Sequence, residues 1–421
     1  MSETLLSLMS EALEGDPAVW LSINCGLRDA IVGAAARRTR YYARVVGGAE
    51  TFEQIPLLTK DLVRDRFEDL VSEGVAPERR VEKVTSGSTG EPLRFMKDLW
   101  FGPAETAALL FWKLRHGIPL DAAEVLLTVH EVSEARLDDD RDSHDADRET
   151  PPIIRVPQQD AVGAGLSEQV HRWSALGPYW LLGTPSGLEQ LAFELQRQGA
   201  VLRCPPVALI TTGETVTAAG LERLGRALGT HANAWYGSNE LSGYVAGTVA
   251  DKRSYACNPW LAYVEVTDED GRPVPPGEPG HLVVTDLHNH VMPFIRYDTG
   301  DTAEMADWTI GGFRVLSALH GRSSTECIPL RSGRLLTPAT LGGSFEDQAV
   351  VDVVRGWQCV QTGPNAIEIR VVWALEPDDE ALETVARKAR LVTDPDTDIA
   401  IRTVSRLETL PSGKRWLVRA Q

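Results

Sequence analysis

Apolar and polar positions change their period twice along the chain. Over residues 3 to 47, Leu5, Leu6, Met9, Leu13, Trp20 and Leu21 recur at helical spacing, and Leu27, Ile31 and Ala34 continue the face. Thr59 is a predicted cap for a short helix at 61 to 67. A buried helix is predicted at 104 to 116 and an apolar strand at 124 to 129. Strand and helix then alternate: 179 to 182, 186 to 198, 208 to 211 and 218 to 228. That alternation predicts α/β architecture with parallel strands. From Tyr263 the period becomes two, and Asp270-Gly271 separates two alternating runs as a hairpin turn would. The Pro- and Gly-rich stretch at 273 to 280 reads as the return loop of that hairpin. Beyond Arg322 the pattern predicts a small α+β unit, with strands at 349 to 354, 366 to 373 and 398 to 404 and a helix at 378 to 390. The expected fold class is therefore α/β. A large N-terminal domain (1–321) with a β-rich subdomain precedes a small α+β C-terminal domain (322–421).

Length supports that division, since 421 residues exceed a single ordinary core. Charge narrows the partners. With 42 basic and 60 acidic residues, the net charge of −18 disfavours nucleic acid and anionic membranes as main partners. The N-terminal MSETLLSLMSEALEGDPAVW has acids and no basic segment before an apolar run, so no signal peptide is expected. Five scattered cysteines show no paired spacing and point to a reducing, cytoplasmic setting. Residues 133 to 150 are almost wholly polar and acidic, as in a solvated surface loop.

Candidate chemistry starts at Thr85-Ser86-Gly87-Ser88-Thr89-Gly90-Glu91-Pro92. Glycines free the backbone to curl around an anion, and the hydroxyls add donors. The run lacks the Gly-Lys-Ser ending of a P-loop, and taken alone a flexible turn explains it equally well. Five further segments follow it in order: Thr212-Gly213-Glu214, Tyr236-Gly237-Ser238-Asn239-Glu240, Arg296 to Asp301, Gly321-Arg322, and Pro411-Ser412-Gly413-Lys414-Arg415. Together the six resemble the signatures of the adenylate-forming superfamily, which includes acyl-CoA synthetases and adenylation domains, over nearly the whole chain. The wording TSGSTGEP, the run Tyr179 to Ser186 and the form PFIRYDTGD resemble the phenylacetate–CoA ligase-like branch.

The resemblance implies roles. Thr85, Ser86, Gly87, Ser88, Thr89 and Gly90 would hold the β- and γ-phosphates of ATP. Gly213 and Glu214 would border the adenine, with Tyr236 packed on the base and Gly237 and Ser238 beside it. Glu240 would anchor Mg²⁺, and Asp301 would accept the ribose hydroxyls. Arg322 would stand at the interdomain hinge, among the catalytic and nucleotide-binding residues. Lys414 would compensate charge at the α-phosphate and carboxylate. The implied partners are a small, probable aryl, carboxylic acid and then CoA or a carrier-protein thiol. An amine acceptor is an alternative, giving an amide, with nitrite as the activated acid in one variant. A non-catalytic nucleotide-binding relative is the other.

Singly, each residue has a plainer reading. Glu240 could be a helix-start acid, Asp301 a turn residue, Arg322 and Lys414 surface charges, and Tyr236 packing. His288 and His290 lack a nearby third ligand, so a strand-end pair is preferred to a metal site. Cys257 reads as a small buried hydrophobe. Two departures bear on the second half-reaction. The hinge reads Gly321-Arg322-Ser323-Ser324-Thr325-Glu326, where relatives carry an acid at 324 or 325. The acidic run at 133 to 150 replaces a Gly-rich substrate loop.

Overall fold

A computed structural model describes residues 17–84, 93–99, 102–128, 152–157, 166–200, 202–322, 327–332, 335–345, 347, 350, 353–410 and 415–420. The Thr85–Pro92 run, the acidic run at 133 to 150, residues 323–326 and Lys414 lie outside them. The chain resolves into two compact units. One comprises residues 1–115 and 235–319, the other residues 116–234 and 320–421. The C-terminal stretch thus shares a unit with the parallel strands that precede residue 235, where an independent domain from residue 322 was expected.

In the second unit, strands Ala123–Thr128, Ile153–Pro157, Tyr179–Gly183 and Leu209–Thr211 pair in parallel, and Leu209–Thr211 pairs onward with Ala232 to Ala234. All five residues of Tyr179–Gly183 are buried, which explains its uninterrupted apolar sequence: a parallel strand with both faces covered has no polar face to show. The helices Pro185–Gln198 and Ala218–Leu228 are bounded by local chemistry. Thr184 and Thr217 accept the N–H of Gly187 and Gly220, and Gly199 and Gly229 close the ends at φ +60° and +72°.

The same unit holds a second core. Strands Asp398–Thr403, Ala366–Trp373, Val354–Gly363 and Val418–Arg419 form a sheet in that order. Ile369, Val371, Cys359, Val385 and Ala389 are buried under the helix Asp379–Val392. Phe345 stacks on Trp357 at 4.8 Å. The strand expected at 349 to 354 begins only at Val354 and runs to Gly363. The strand of 366 to 373 and the helix after residue 378 fall where they were expected.

The first unit is antiparallel around its site. Ala262–Thr267 pairs with Pro279–Asp286, confirming the hairpin about Asp270-Gly271, and Pro279–Asp286 pairs with Tyr297–Ile310. Strands Tyr244–Thr248 and Tyr255–Cys257 continue the antiparallel pattern. The helix Pro17–Arg38 breaks before Arg40–Val46, where the Thr39 hydroxyl accepts the N–H of Tyr42. Thr59 caps Lys60–Asp65 as expected, although Arg66 interrupts the helix before Phe67–Leu70.

Arg296 ties this unit together. It is 1% exposed and holds φ +50°, uncommon for a non-glycine. Its guanidinium donates to Glu265 Oε1 at 3.1 Å and Oε2 at 3.3 Å, to the carbonyls of Ile55 at 2.7 Å and Gly271 at 2.6 Å, and to the carbonyl of Glu53. Its own carbonyl accepts the N–H of Leu58 at 2.9 Å. Gly271 can present its carbonyl because it turns at φ +80°, and a Cβ there would lie 3.2 Å from Leu57. Burial pushes the Glu265 carboxyl up despite the arginine, so the pair is costly to break. Arg296→Met should destabilise the protein by about 3–5 kcal/mol, and Arg296→Met with Glu265→Leu should recover only part of it, because the carbonyls of Glu53, Ile55 and Gly271 still lose their guanidinium donor. Urea denaturation of the single and double variants measures both.

Candidate active site

Asp301 owes its position to a bulge. His281 pairs with Thr302 and Val283 with Asp298, so Thr299, Gly300 and Asp301 stand opposite the single residue Leu282. Gly300 turns at φ +80°. The Thr299 hydroxyl donates to the Leu282 carbonyl at 2.9 Å and accepts the Asp301 N–H at 3.2 Å. The Gly300 N–H donates to Asp298 Oδ1 at 2.9 Å. The extruded turn thus satisfies its own backbone and carries Asp301 out of the ladder. Bulges that re-aim a side chain are common at functional sites.

A second bulge shapes Tyr236. Tyr236 pairs with Ala246, but Gly237 pairs with Tyr244, leaving Val245 as the extra residue. Glycine is required at 237, where a Cβ would lie 2.7 Å from the Gly243 carbonyl oxygen. The chain then turns through Ser238 and Asn239 to Glu240, and the Leu241 N–H donates to the Ser238 carbonyl at 3.1 Å.

The two motifs meet through tyrosines. The Tyr236 hydroxyl donates to Asp301 Oδ2 at 2.5 Å, and the Tyr297 hydroxyl donates to Glu240 Oε1 at 3.1 Å. Burial, and then the Asp301 charge, push the Tyr236 phenol well above its ordinary value, which keeps it a donor. Glu240 is buried and Tyr297 fully so. Among the described residues the buried Ser238 hydroxyl has no hydrogen-bond partner. Tyr236 is thus brought to Asp301 and Glu240 to Tyr297, with Ser238 on the same turn as Glu240. Tyr297 was missed as a partner of Glu240, although it stands inside the motif at 296 to 301.

Below this layer, Ser242 donates its hydroxyl to Asp286 Oδ2, and Asp286 Oδ1 accepts the N–H groups of His288 at 2.9 Å and Asn289 at 3.2 Å. Lys97 donates to the Leu241 carbonyl at 3.0 Å. These bonds fix both ends of the Ser238 to Gly243 turn. His288 lies against the Trp260 carbonyl at 2.5 Å, in keeping with a strand-end pair. Cys257 is buried and its thiol is pushed up to about 12, as for a small core residue.

In the other unit Gly213 turns at φ +80° before Glu214. Glu214 accepts the Ser186 N–H at 3.0 Å and hydroxyl at 2.8 Å, and the Arg415 N–H at 2.8 Å. Nothing in the sequence pattern alone joins residues 186, 214 and 415. Arg322 ends the strand Phe313–Arg322, just after Gly321 at φ +74°.

No family model matches the chain. Over 153 residues it is 30% identical to the phenylacetate–coenzyme A ligase of Escherichia coli, a segment spanning 35% of each protein. Among solved structures, 2-hydroxyisobutyryl-CoA ligase with 2-HIB-AMP has a TM-score of 0.73 at 18% identity, covering 95% of this chain and 89% of that one. An anthranilate CoA ligase with anthranoyl-AMP has a TM-score of 0.57 at 14% identity, with 88% and 70% covered. The amide bond synthetase from Marinactinospora thermotolerans has a TM-score of 0.57 at 14% identity, with 82% and 70% covered. The fold is the one that these ligase structures share. Within that class the chain is similar to the phenylacetate–CoA ligase branch.

Tyr297→Phe should cost about 1–2 kcal/mol of stability by leaving the buried Glu240 carboxylate without this donor. Thermal denaturation followed by circular dichroism measures it.

Proposed function

We propose that this protein is an AMP-forming ligase that activates a small, aryl or similarly compact carboxylic acid as its adenylate. The observation that carries the reading is the pair of hydrogen bonds Tyr236–Asp301 and Tyr297–Glu240, which join the segment at 236 to 240 to the strand that starts at Tyr297. Each of the two acids is oriented by a phenol, and both stand in the motifs whose resemblance implies ribose and magnesium binding. The acyl adenylates held by the similar CoA ligases support the same chemistry.

A substrate carboxylate oxygen attacks the α-phosphorus of ATP, the bond to the β-phosphate oxygen breaks, and pyrophosphate leaves with its electrons. Positioning and charge compensation carry such a step. Thr85, Ser86, Gly87, Ser88, Thr89 and Gly90 would hold the outer phosphates. Asp301 would accept the ribose hydroxyls, and Gly213, Glu214, Tyr236 and Gly237 would border the base. The donor set fits Mg²⁺ brought in on the nucleotide: one oriented carboxylate, Glu240, beside the unpartnered Ser238 hydroxyl. That ion would supply charge neutralisation on the phosphates. Lys414 would meet charge developing at the α-phosphate, and Arg322 would mark a hinge between domains 1–321 and 322–421. In the second step a thiol of CoA or a carrier protein attacks the acyl carbon and AMP leaves. The five free cysteines fit a reducing cytoplasm.

An amine acceptor is the second reading. The similarity to an amide bond synthetase favours it, as does the hinge without an acid at 324 or 325.

Pyrophosphate release should appear with at least one acid from a panel of aryl and short aliphatic acids plus nitrite. Thioester with added CoA would establish the ligase, and release that ignores CoA would move the second step to an amine or carrier protein. Silence with every acid would sink the reading. Lys414→Ala should lower pyrophosphate release by about 100-fold or more with ATP binding retained. Asp301→Ala should weaken ATP binding by about 10–100-fold, read by calorimetry.

A further inference from the structure

Arg415, the residue after Lys414, is held at two points by acids of its own unit. Its Nη1 is ion-paired with Glu189 Oε2, with the two side chains 11% and 13% exposed. Its backbone N–H donates to Glu214 Oε1. Glu214 is in turn fixed to the first turn of Pro185–Gln198 through both the N–H and the hydroxyl of Ser186. There the unsatisfied N–H groups and the helix dipole favour a carboxylate.

Energetics and packing agree on this arrangement. Burial lowers the proton affinity of the Arg415 guanidinium, yet Glu189 and then Glu214 raise it past its ordinary value. Gly356 leaves room for the pair. A Cβ there would lie 3.2 Å from Arg415 Nη1 and 3.8 Å from Glu189 Oε2. Along the same helix, Arg355 donates to Gln190 Oε1 at 2.8 Å, and its guanidinium sits 3.3 Å from the Phe193 ring centroid. Two arginines from the C-terminal stretch therefore grip one helix at Glu189, Gln190 and Phe193. A bridge between Thr409 and Arg415 ties the segment bearing Lys414 at its base.

We propose that Arg415 is a positioning residue for adenylate formation, and that Glu189 and Glu214 form the latch that seats it. The proposal rests on the adenylation reading above. A lysine on a four-carbon stem compensates charge only if its backbone is placed, because small misplacements of a reacting group cost orders of magnitude in rate. Fixing the next residue by a side-chain ion pair and a backbone hydrogen bond supplies that placement. The latch therefore serves the step in which charge develops on the α-phosphate and is not needed once the adenylate exists.

The first test needs no substrate. Amide hydrogen exchange at Arg415, followed by mass spectrometry on the free enzyme, should quicken by about tenfold in Glu189→Gln. The circular dichroism spectrum should be unchanged. The second uses the acid of the panel that releases pyrophosphate fastest, together with its synthetic acyl adenylate. Glu189→Gln and Arg415→Met should each slow pyrophosphate release by about tenfold with KM for ATP within about twofold. Transfer from the supplied adenylate to the acceptor should be unaltered. The reversed pair Glu189→Arg with Arg415→Glu should recover most of the lost rate. Unchanged exchange at Arg415 overturns the latch, as does equal slowing of both half-reactions. Wild-type enzyme silent toward every acid would remove the adenylation reading instead, while the exchange result would still judge the latch.

Discussion

The buried Arg296 guanidinium is the constraint on which the first unit depends. Three carbonyls and a carboxylate from three separate segments converge on one planar cation. Arginine suits such a junction because its donors are fixed in a plane and its charge persists through burial. The hairpin tip at Gly271, the loop at Glu53 to Ile55 and the strand bearing Glu265 are all located by it. The cation also stands immediately before Tyr297, so the start of the site strand is pinned by the same bonds. Its φ of +50° is strain held in place by that hydrogen bonding.

From that fixed point the strand leaves its ladder after two paired residues, Tyr297 and Asp298. An unbroken strand would keep residues 297, 299 and 301 on one face by period two. The bulge at Thr299 to Asp301 instead lets Tyr297 stay in the core beside Glu240 while Asp301 meets Tyr236. The self-bonding of Thr299 is what makes the detour affordable in the burial that surrounds it.

Much of the architecture was legible because it follows period and punctuation. Threonine before a helical run and Asp-Gly between alternating runs marked the element boundaries found at Thr59 and Gly271. The strand misplaced to 349–354 shows where period fails: Val354–Gly363 carries Gly356, Gln358 and Gln361, which dilute its apolar alternation. Gln358 is nevertheless buried, because its amide donates to the carbonyls of Glu408 and Trp416. The grouping of Tyr236, Glu240 and Asp301 was legible only through motif resemblance, since no local rule joins residues sixty apart. Tyr297 and the Glu189–Arg415–Glu214 set were not legible at all. Their meaning lies in which segments the fold brings together, and a tyrosine or arginine in a pattern announces only packing or surface charge.

The choice of partner separates structural acids from chemical ones. Glu265, Asp98 and Glu368 lie against arginines, Arg296, Arg79 and Arg370. An arginine cancels the charge of its acid and leaves it little to offer a ligand. Glu240 and Asp301 receive phenol donors instead. A phenol fixes the rotamer and occupies one lone pair, yet it adds no positive charge. Burial holds the Tyr236 proton on its oxygen, so the donation persists across the pH range in which carboxylates are ionised. Each acid is thus oriented by a donor that brings no positive charge of its own. Glu214 follows a third pattern: it accepts from the first turn of a helix and from a backbone N–H, while the Arg415 guanidinium nearby is ion-paired with Glu189. That arrangement suits an acid whose task is to hold another segment of the chain.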